Sequence, residues 1–297
     1  MFGMWFAALV RLLSTRTMRT HRTEIITGLL ISVLAIGAIV FFLSRMDREQ
    51  DIERTDLFDL LLPDPEAILS INKPQAFAAM LKRQPELDAS FRGVIPDDYV
   101  ELLNHIKYSP VLLAYYPHGI ILFYQLSDTH NEPEKFFKKK NSFSVKKEGI
   151  LFNYQPKAPQ QYLGYYYNKG VCASSYSRKL LEATASVDHG SADQNIQSVK
   201  KLRDGLDKNA LLNGFFHIAS DTEWHTIDLF MHEEQVCFLQ NQPLAHMSDS
   251  LIAVTADSLS LRIKQFIPGL ELECGFSQDD SVVFYTFCAP LLSKVNN

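Results

Sequence analysis

What this chain lacks narrows its chemistry before anything it contains. Its four cysteines, Cys172, Cys237, Cys274 and Cys288, include no Cys-x-x-Cys pair, which excludes zinc ribbons and thioredoxin-type redox motifs. No Gly-x-x-x-x-Gly-Lys phosphate loop occurs, no Gly-x-Ser-x-Gly elbow, and no Ser-x-x-Lys with its companion motifs. The stretch His232-Glu233-Glu234-Gln235-Val236 lacks the second histidine that a zincin helix carries at the fourth following position. A basic excess is missing too. The net charge is −5, and because the first 24 residues carry four Arg and one Glu, net +3, the remainder carries −8. Phosphate backbones need a basic face, so nucleic acid is excluded as a partner. No Asn-x-Ser/Thr sequon follows residue 44, which fits a bacterial envelope better than a eukaryotic secretory route.

What is present begins with a long run without a charge, Ile25 to Leu43. At helical rise it spans roughly 28 Å, about one bilayer core. The sequence therefore predicts a membrane-spanning anchor over 25–44, a cytoplasmic tail over 1–24, a charged juxtamembrane stalk over 45–60, and one large folded domain over 61–297. A cleaved signal peptide would have a shorter apolar core and a small-x-small site, and Phe41-Phe42-Leu43-Ser44-Arg45 offers none. Arg11, Arg16, Arg19 and Arg22 precede the run and Arg45, Arg48 and Arg54 follow it. That four-to-three bias puts the tail inside and the large domain outside, at a bacterial inner membrane with the domain in the periplasm. The first thirteen residues, MFGMWFAALVRLL, read either as an interfacial helix or as a segment ahead of a start at Met18.

Past the stalk the pattern alternates hairpins and helices. A strand at Ala67 to Ile71 leads into a helix from Pro74 to Lys82, with proline near the first helical position. A helix follows from Asp97 to Ile106. Hairpins read as VLLAYY/IILFYQL about Pro117-His118-Gly119, SFSVKK/ILFNYQ about Glu148-Gly149, and QYLGYYY/VCASSY about Asn168-Lys169-Gly170. Further helices are predicted over Glu132 to Lys140, Arg178 to Ala185, Asn195 to Leu206 and Ser258 to Phe266. Strands LLNGFFHIA, WHTIDLFM and QVCFLQN precede the last of these, and LELECGF and VVFYTFC close the chain. The expected class is α+β, an antiparallel sheet of sequential hairpins with helices gathered on one face, preceded by one transmembrane helix. AILSINKPQAFAAMLK and LIAVTADSLSLRIKQF share a strand-then-helix pattern at the two ends of the domain.

LPDPEAILSIN, YNKGVCASSYSRKLLEA and NGFFHIASDTEWHTIDLFM resemble uncharacterised bacterial single-pass envelope proteins built from a domain of unknown function. The resemblance implies an extracytoplasmic placement and brings no catalytic residues.

Candidate sites are few. His217, His225 and His232 fall on neighbouring strands, but His225 and His232 are seven apart and point to opposite faces of a regular strand, so no metal site is predicted. Asp97-Asp98 and Asp279-Asp280 occupy helix-start and turn positions. The four cysteines lie in apolar strands and read as buried small hydrophobes, while an oxidising compartment would allow disulfides whose pairing the spacing leaves open. The strongest surface signal is Lys135, Lys138, Lys139, Lys140, Lys146 and Lys147, interleaved with Phe136, Phe137 and Phe143. It reads as a contact for anionic headgroups or an acidic envelope polymer, or else as a solvated face. Tyr166, the middle of three consecutive tyrosines, is the second candidate contact. No cofactor is implied. The resulting expectation is a membrane-anchored extracytoplasmic binding or scaffold module with a protein or polymer partner. The alternative is an extracytoplasmic enzyme whose site is assembled from distant residues.

Overall fold

The computed structural model describes residues 32–41, 56–106, 110–126, 142–168, 170–186, 194–217, 223–232, 235–243, 249–279 and 281–290. The chain divides into two compact units, Met1–Asp51 and Ile52–Asn297.

In the first unit the described part is helix α1, residues 32–41, exposed throughout. Among the described residues no helix is long and apolar enough to cross a membrane. The transmembrane helix expected over 25–44, and the single-pass description built on it, is therefore corrected. Residues 25–31 and 42–44 of that expectation lie outside the described residues, as does the tail over 1–24.

The second unit opens with a 3-10 helix, Leu57–Leu60, capped by the Asp56 carboxylate, which accepts from Phe58 N–H at 3.0 Å. Leu57, Phe58 and Leu60 are buried, and the Phe58 ring meets Phe215 edge-on at 5.7 Å. Of the stalk expected over 45–60, residues 57–60 are folded, because three apolar side chains there have a core to enter, and residues 45–55 lie outside the described residues.

The chain then runs β1 (Ala67–Ile71), α2 (Pro74–Arg83), α3 (Pro85–Arg92), α4 (Asp97–Leu103), β2 (Val111–Tyr116), β3 (Gly119–Gln125), β4 (Phe143–Lys147), β5 (Ile150–Ala158), β6 (Gln161–Asn168) and β7 (Val171–Ser175). It continues α5 (Arg178–Ala185), α6 (Gln194–Arg203), β8 (Leu212–His217), β9 (Trp224–His232), β10 (Gln235–Pro243), α7 (Asp249–Phe266), β11 (Glu273–Gln278) and β12 (Val282–Pro290). All twelve strands form one antiparallel sheet, ordered β11-β12-β10-β9-β8-β1-β2-β3-β7-β6-β5-β4. The β4–β5 turn puts Glu148 and Gly149 at φ 51° and 84°, the left-handed pair that a two-residue hairpin loop needs.

Helices cover both faces of this sheet, which corrects the expected one-sided arrangement. On one face α2, α3, α4 and α7 pack over Leu69, Leu113, Leu122, Leu229, Phe238 and Tyr285. On the other, the 3-10 helix, α5 and α6 pack over Ile68, Leu112, Phe123, Ala173 and Phe215. The physical reason lies in the central strands. β1 and β7 are buried at every position, and β2 at all but one, so their alternating side chains feed two cores and each core needs a cover.

Two helical segments differ from expectation. α3 is absent from the sequence expectation, although Pro85 at its first turn, Glu86 and Asp88 beside it and Arg92 at its end form a regular helix frame. α7 starts at Asp249, nine residues before the expected Ser258. Its buried Ile252, Ala256, Leu259 and Ile263 recur at helical spacing, so LIAVTA is helix and the two ends of the domain do not share a strand-then-helix pattern. The helix expected over Glu132 to Lys140 lies outside the described residues.

Candidate functional site

α7 lies over the first core face, from Thr255 beside Tyr285 on β12 to Ile267 beyond its C-terminal end, near β1 and β8. The chain leaves it through Gly269, whose φ of +90° suits glycine and whose missing Cβ would meet the Ser90 Oγ of α3 at 3.4 Å. This turn sets the C-terminal end of α7 against α3. Between these helices and the sheet is a cavity of about 40 Å³ lined by Leu69, Phe91, Gly214, Ile227, Phe238 and Ile263 with their neighbours, and by Arg262 as its one charged residue. Gly214 shapes its floor: a Cβ there would come within 2.9 Å of Ile227 Cγ2, so only glycine lets Leu69 and Ile227 close over β8.

Shielded polar atoms without hydrogen bonds occur on α7 and β10. Arg262 Nε is shielded from solvent and makes no hydrogen bond; the rest of that guanidinium reaches Gln265 Oε1 from Nη1 at 3.4 Å. On β10 the inward positions run Val236, Phe238, Gln240, Gln242, and the Oε1 atoms of both glutamines are shielded and unbonded. Gln240 is the next inward residue after the cavity-lining Phe238 and is the register partner of Tyr285 on β12. Burial pushes the Tyr285 hydroxyl up from its ordinary range, with Thr255 of α7 opposing it, and the hydroxyl is shielded and makes no hydrogen bond. A buried donor or acceptor left unpaired costs about 1–3 kcal/mol, more when charged. Of these residues Arg262 is the one that lines the cavity. Sequence reasoning passed over these residues, although glutamine at two inward positions of QVCFLQNQ was a visible break in apolar alternation.

The residues singled out from sequence fall elsewhere. Lys135, Lys138, Lys139 and Lys140 lie outside the described residues. Lys146 and Lys147 are exposed on β4, the sheet's edge strand, with Phe143 and Val145 also exposed beside them. Lys147 Nζ donates to Glu182 Oε2 of α5 at 2.9 Å, and that bond raises the lysine and, together with Arg178, lowers the carboxylate. Tyr166 is 4% exposed and belongs to the second core. Its hydroxyl donates to Thr184 Oγ1 at 3.4 Å and burial pushes it up to about 12. It is packed inside and presents no contact surface, because its strand is covered by α5 on that face. Tyr165 and Tyr167 sit on the opposite face, their rings 5.5 Å apart.

The histidines do not converge. His225 is buried beside Phe216, His217 stacks near Trp224, and His232 is exposed at the end of β9; among the described residues no metal-binding group of side chains is found. Asp98 is more than a helix start: it accepts from Lys157 Nζ at 2.5 Å and from the Tyr176 hydroxyl, tying α4 to β5 and to the end of β7. Asp228 is raised by burial yet held by Asn213 at 2.6 Å and by Asp207 N–H at 3.2 Å, which fastens the loop before β8. Cys237 and Cys288, opposite each other on β10 and β12, form a disulfide, while Cys172 is buried and Cys274 exposed as thiols.

Fold and cavity together define the class: an α+β protein with one twelve-stranded antiparallel sheet, helices on both faces and an apolar pocket beneath one of them. No family model matches the chain, and no curated protein matches it. Among solved structures it is similar to crystal form I of TP0453, with 10% identity and a TM-score of 0.44 over 79% of this chain and 92% of that one.

Proposed function

We propose that this protein is an extracytoplasmic binding module of the bacterial envelope whose ligand enters the cavity beneath α7. The observation that carries the reading is the apolar cavity enclosed by β1, β8, β9, β10, α3 and α7, with Arg262, whose Nε is shielded and makes no hydrogen bond, among its lining residues. The Cys237–Cys288 disulfide supports an oxidising compartment, the periplasm in a bacterium. A protein or acidic-polymer partner has a separate place to dock, the exposed β4 edge with Lys146 and Lys147.

Compartment and binding are tested separately. Cys274 is exposed, and burial of part of its thiol, with Asp257 nearby, raises it, so a membrane-impermeant maleimide at about pH 8 labels it slowly but selectively. Labelling in intact spheroplasts is expected; labelling only after lysis would refute the periplasmic placement. For binding, 1-octanol at sub-denaturing concentration should raise the melting temperature of the full chain. Ile263→Phe, which fills the cavity, should abolish that increment, and an equal increment in both proteins would move the site elsewhere.

A further inference from the structure

The sheet ends in two unlike edges. β4 carries Lys146 and Lys147, the kind of side chain that keeps an open edge from pairing with another chain. β11, at the other end, reads Glu-Cys-Gly-Phe-Ser-Gln, exposed at all six positions and holding neither lysine nor proline. We propose that β11 pairs antiparallel with β11 of a second copy of this chain, about a two-fold axis at Gly275. This interface is separate from the cavity and does not depend on a ligand there.

The backbone sets the register. Asp279 N–H donates to the Val282 carbonyl at 3.0 Å, so the alternation of an antiparallel ladder turns Glu273, Gly275 and Ser277 toward β12 and Cys274, Phe276 and Gln278 toward the open edge. Pairing about Gly275 sets Cys274 of each copy opposite Phe276 of the other, and these two pairs exchange about four hydrogen bonds. Glu273, the one charge of the strand, then faces Ser277 and not its own copy. Nothing within the chain calls for glycine at 275, where a Cβ would meet nothing within 4 Å and φ is not positive. A glycine inside a strand is found where another backbone comes close.

The side chains fit the same axis. Antiparallel pairing keeps the faces of the two sheets continuous, so α7 and its counterpart lie on the same side. Phe276, 53% exposed, is the register partner of the inward Tyr285 and stands on the α7 side of the sheet. Asp257, Leu261 and Lys264 follow at i, i+4 and i+7 along one side of α7. The charges of Asp257 and Lys264 both act on the Cys274 thiol, so that side faces β11. The exposed Leu261 therefore stands with Phe276 beside the axis, and a second copy covers both. The same two-fold runs the two α7 helices antiparallel and turns Asp257 of each toward Lys264 of the other, two symmetric contacts between opposite charges.

The experiment follows the full chain by sedimentation velocity over a rising concentration series and by a short bismaleimide. The reagent reports the proposed register, which sets the two Cys274 residues diagonally about 7–8 Å apart. Cys172 is buried and Cys237 is paired with Cys288, so neither interferes. Wild type is expected to pass from monomer to dimer and to yield a crosslinked dimer. Phe276→Lys, which copies the guard on β4, should stay monomeric with an unchanged melting temperature. Asp257→Lys and Lys264→Asp each act twice across the axis and should weaken dimerisation about tenfold. The double reversal restores both opposite-charge contacts and should return the wild-type dissociation constant. A wild type that is monomeric throughout overturns the proposal. Association equal in every variant without a Cys274 crosslink overturns it too, as does a double reversal no tighter than the single ones.

Discussion

Replacing Cys237 and Cys288 with alanine opens the one cross-link of this chain's described residues and allows the stabilising term to be worked out in advance. The two cysteines are 51 residues apart, and the loop they close contains α7 and β11, the cover of the cavity and its edge strand. In the chain-entropy treatment a loop of that length removes about 14 cal/mol/K from the unfolded ensemble, or about 4 kcal/mol at 25 °C. The folded state loses little in return. β10 and β12 share nine register pairs, from Gln235–Pro290 to Pro243–Val282, and the ladder holds them together without the sulfurs. The two side chains also lie on the face away from the first core, as the inward neighbours Val236 and Phe238 show, so alanine leaves no cavity there. The expected effect is a loss of about 2–4 kcal/mol in urea denaturation and a fall in Tm of roughly 4–16 °C for a domain of this size. Single variants and wild type in excess reductant should converge on the double variant. Wild type that melts within a degree or two whether oxidised or fully reduced would refute the reasoning, as would four thiols titrating in the unreduced, denatured protein.

Asp98→Asn removes the charge that holds both Lys157 and Tyr176, and since both partners of the ion pair are mostly buried it should cost about 2 kcal/mol in urea denaturation, between the values for exposed and fully buried pairs; a change below about 0.5 kcal/mol would mean the contact is not formed. Burial alone would raise Asp56, but the Arg203 hydrogen bond, the Phe58 N–H and the charges of Arg203 and Lys200 outweigh it and hold the carboxyl below its ordinary value. Its contribution is therefore present above the unfolded value of 3.8 and lost as pH falls through the lower folded value, so the stability difference between wild type and Arg203→Gln should shrink below about pH 4 and a pH-independent difference would contradict it. Replacing Lys146 and Lys147 with Thr takes the charges off an edge strand that already exposes Phe143 and Val145, and light scattering should then show concentration-dependent association beyond that of wild type. The same variant should lose any salt-sensitive sedimentation with anionic vesicles, and unchanged sedimentation would exclude β4 as a contact surface.

Most strands were legible because each hairpin carries its own punctuation. Gly119 at φ 132°, Gly149 at 84° and Gly170 at 77° are turns that few other residues would make, and the alternating runs on either side of them set the register. What hid was the relation between elements. AILSI, VLLAYY and VCASS are apolar on both sets of alternate positions, a pattern that requires cover on two faces, yet it is easily read as ordinary strand hydrophobicity. α3 hid because Pro85 and Gly93 are both punctuators and the eight residues of the helix they bound are too few to show a period. The transmembrane reading followed from composition alone, whereas among the described residues no helix is long and apolar enough to cross a membrane.

The cavity was illegible for a different reason, since it uses no motif and its walls are the same residue types as any core. Arg262 in SLRIKQF looks like a charge on the wet side of a helix, but it is half-buried and lies between the buried stripe and the outer side, where Val254 and Leu261 are 61% and 60% exposed. α7 is thus apolar on its inner stripe through Ile252, Leu259 and Ile263, and apolar again on its outer side, with Arg262 at the border. A helix laid down only to seal a sheet would carry charges outward and find apolar residues beneath it. On α7 the outer side carries Asp257 and Lys264 as well as Val254 and Leu261, and the unbonded glutamine oxygens belong to β10. In sequence such a helix reads like any amphipathic one, so the cavity beneath it left no signature in the chain.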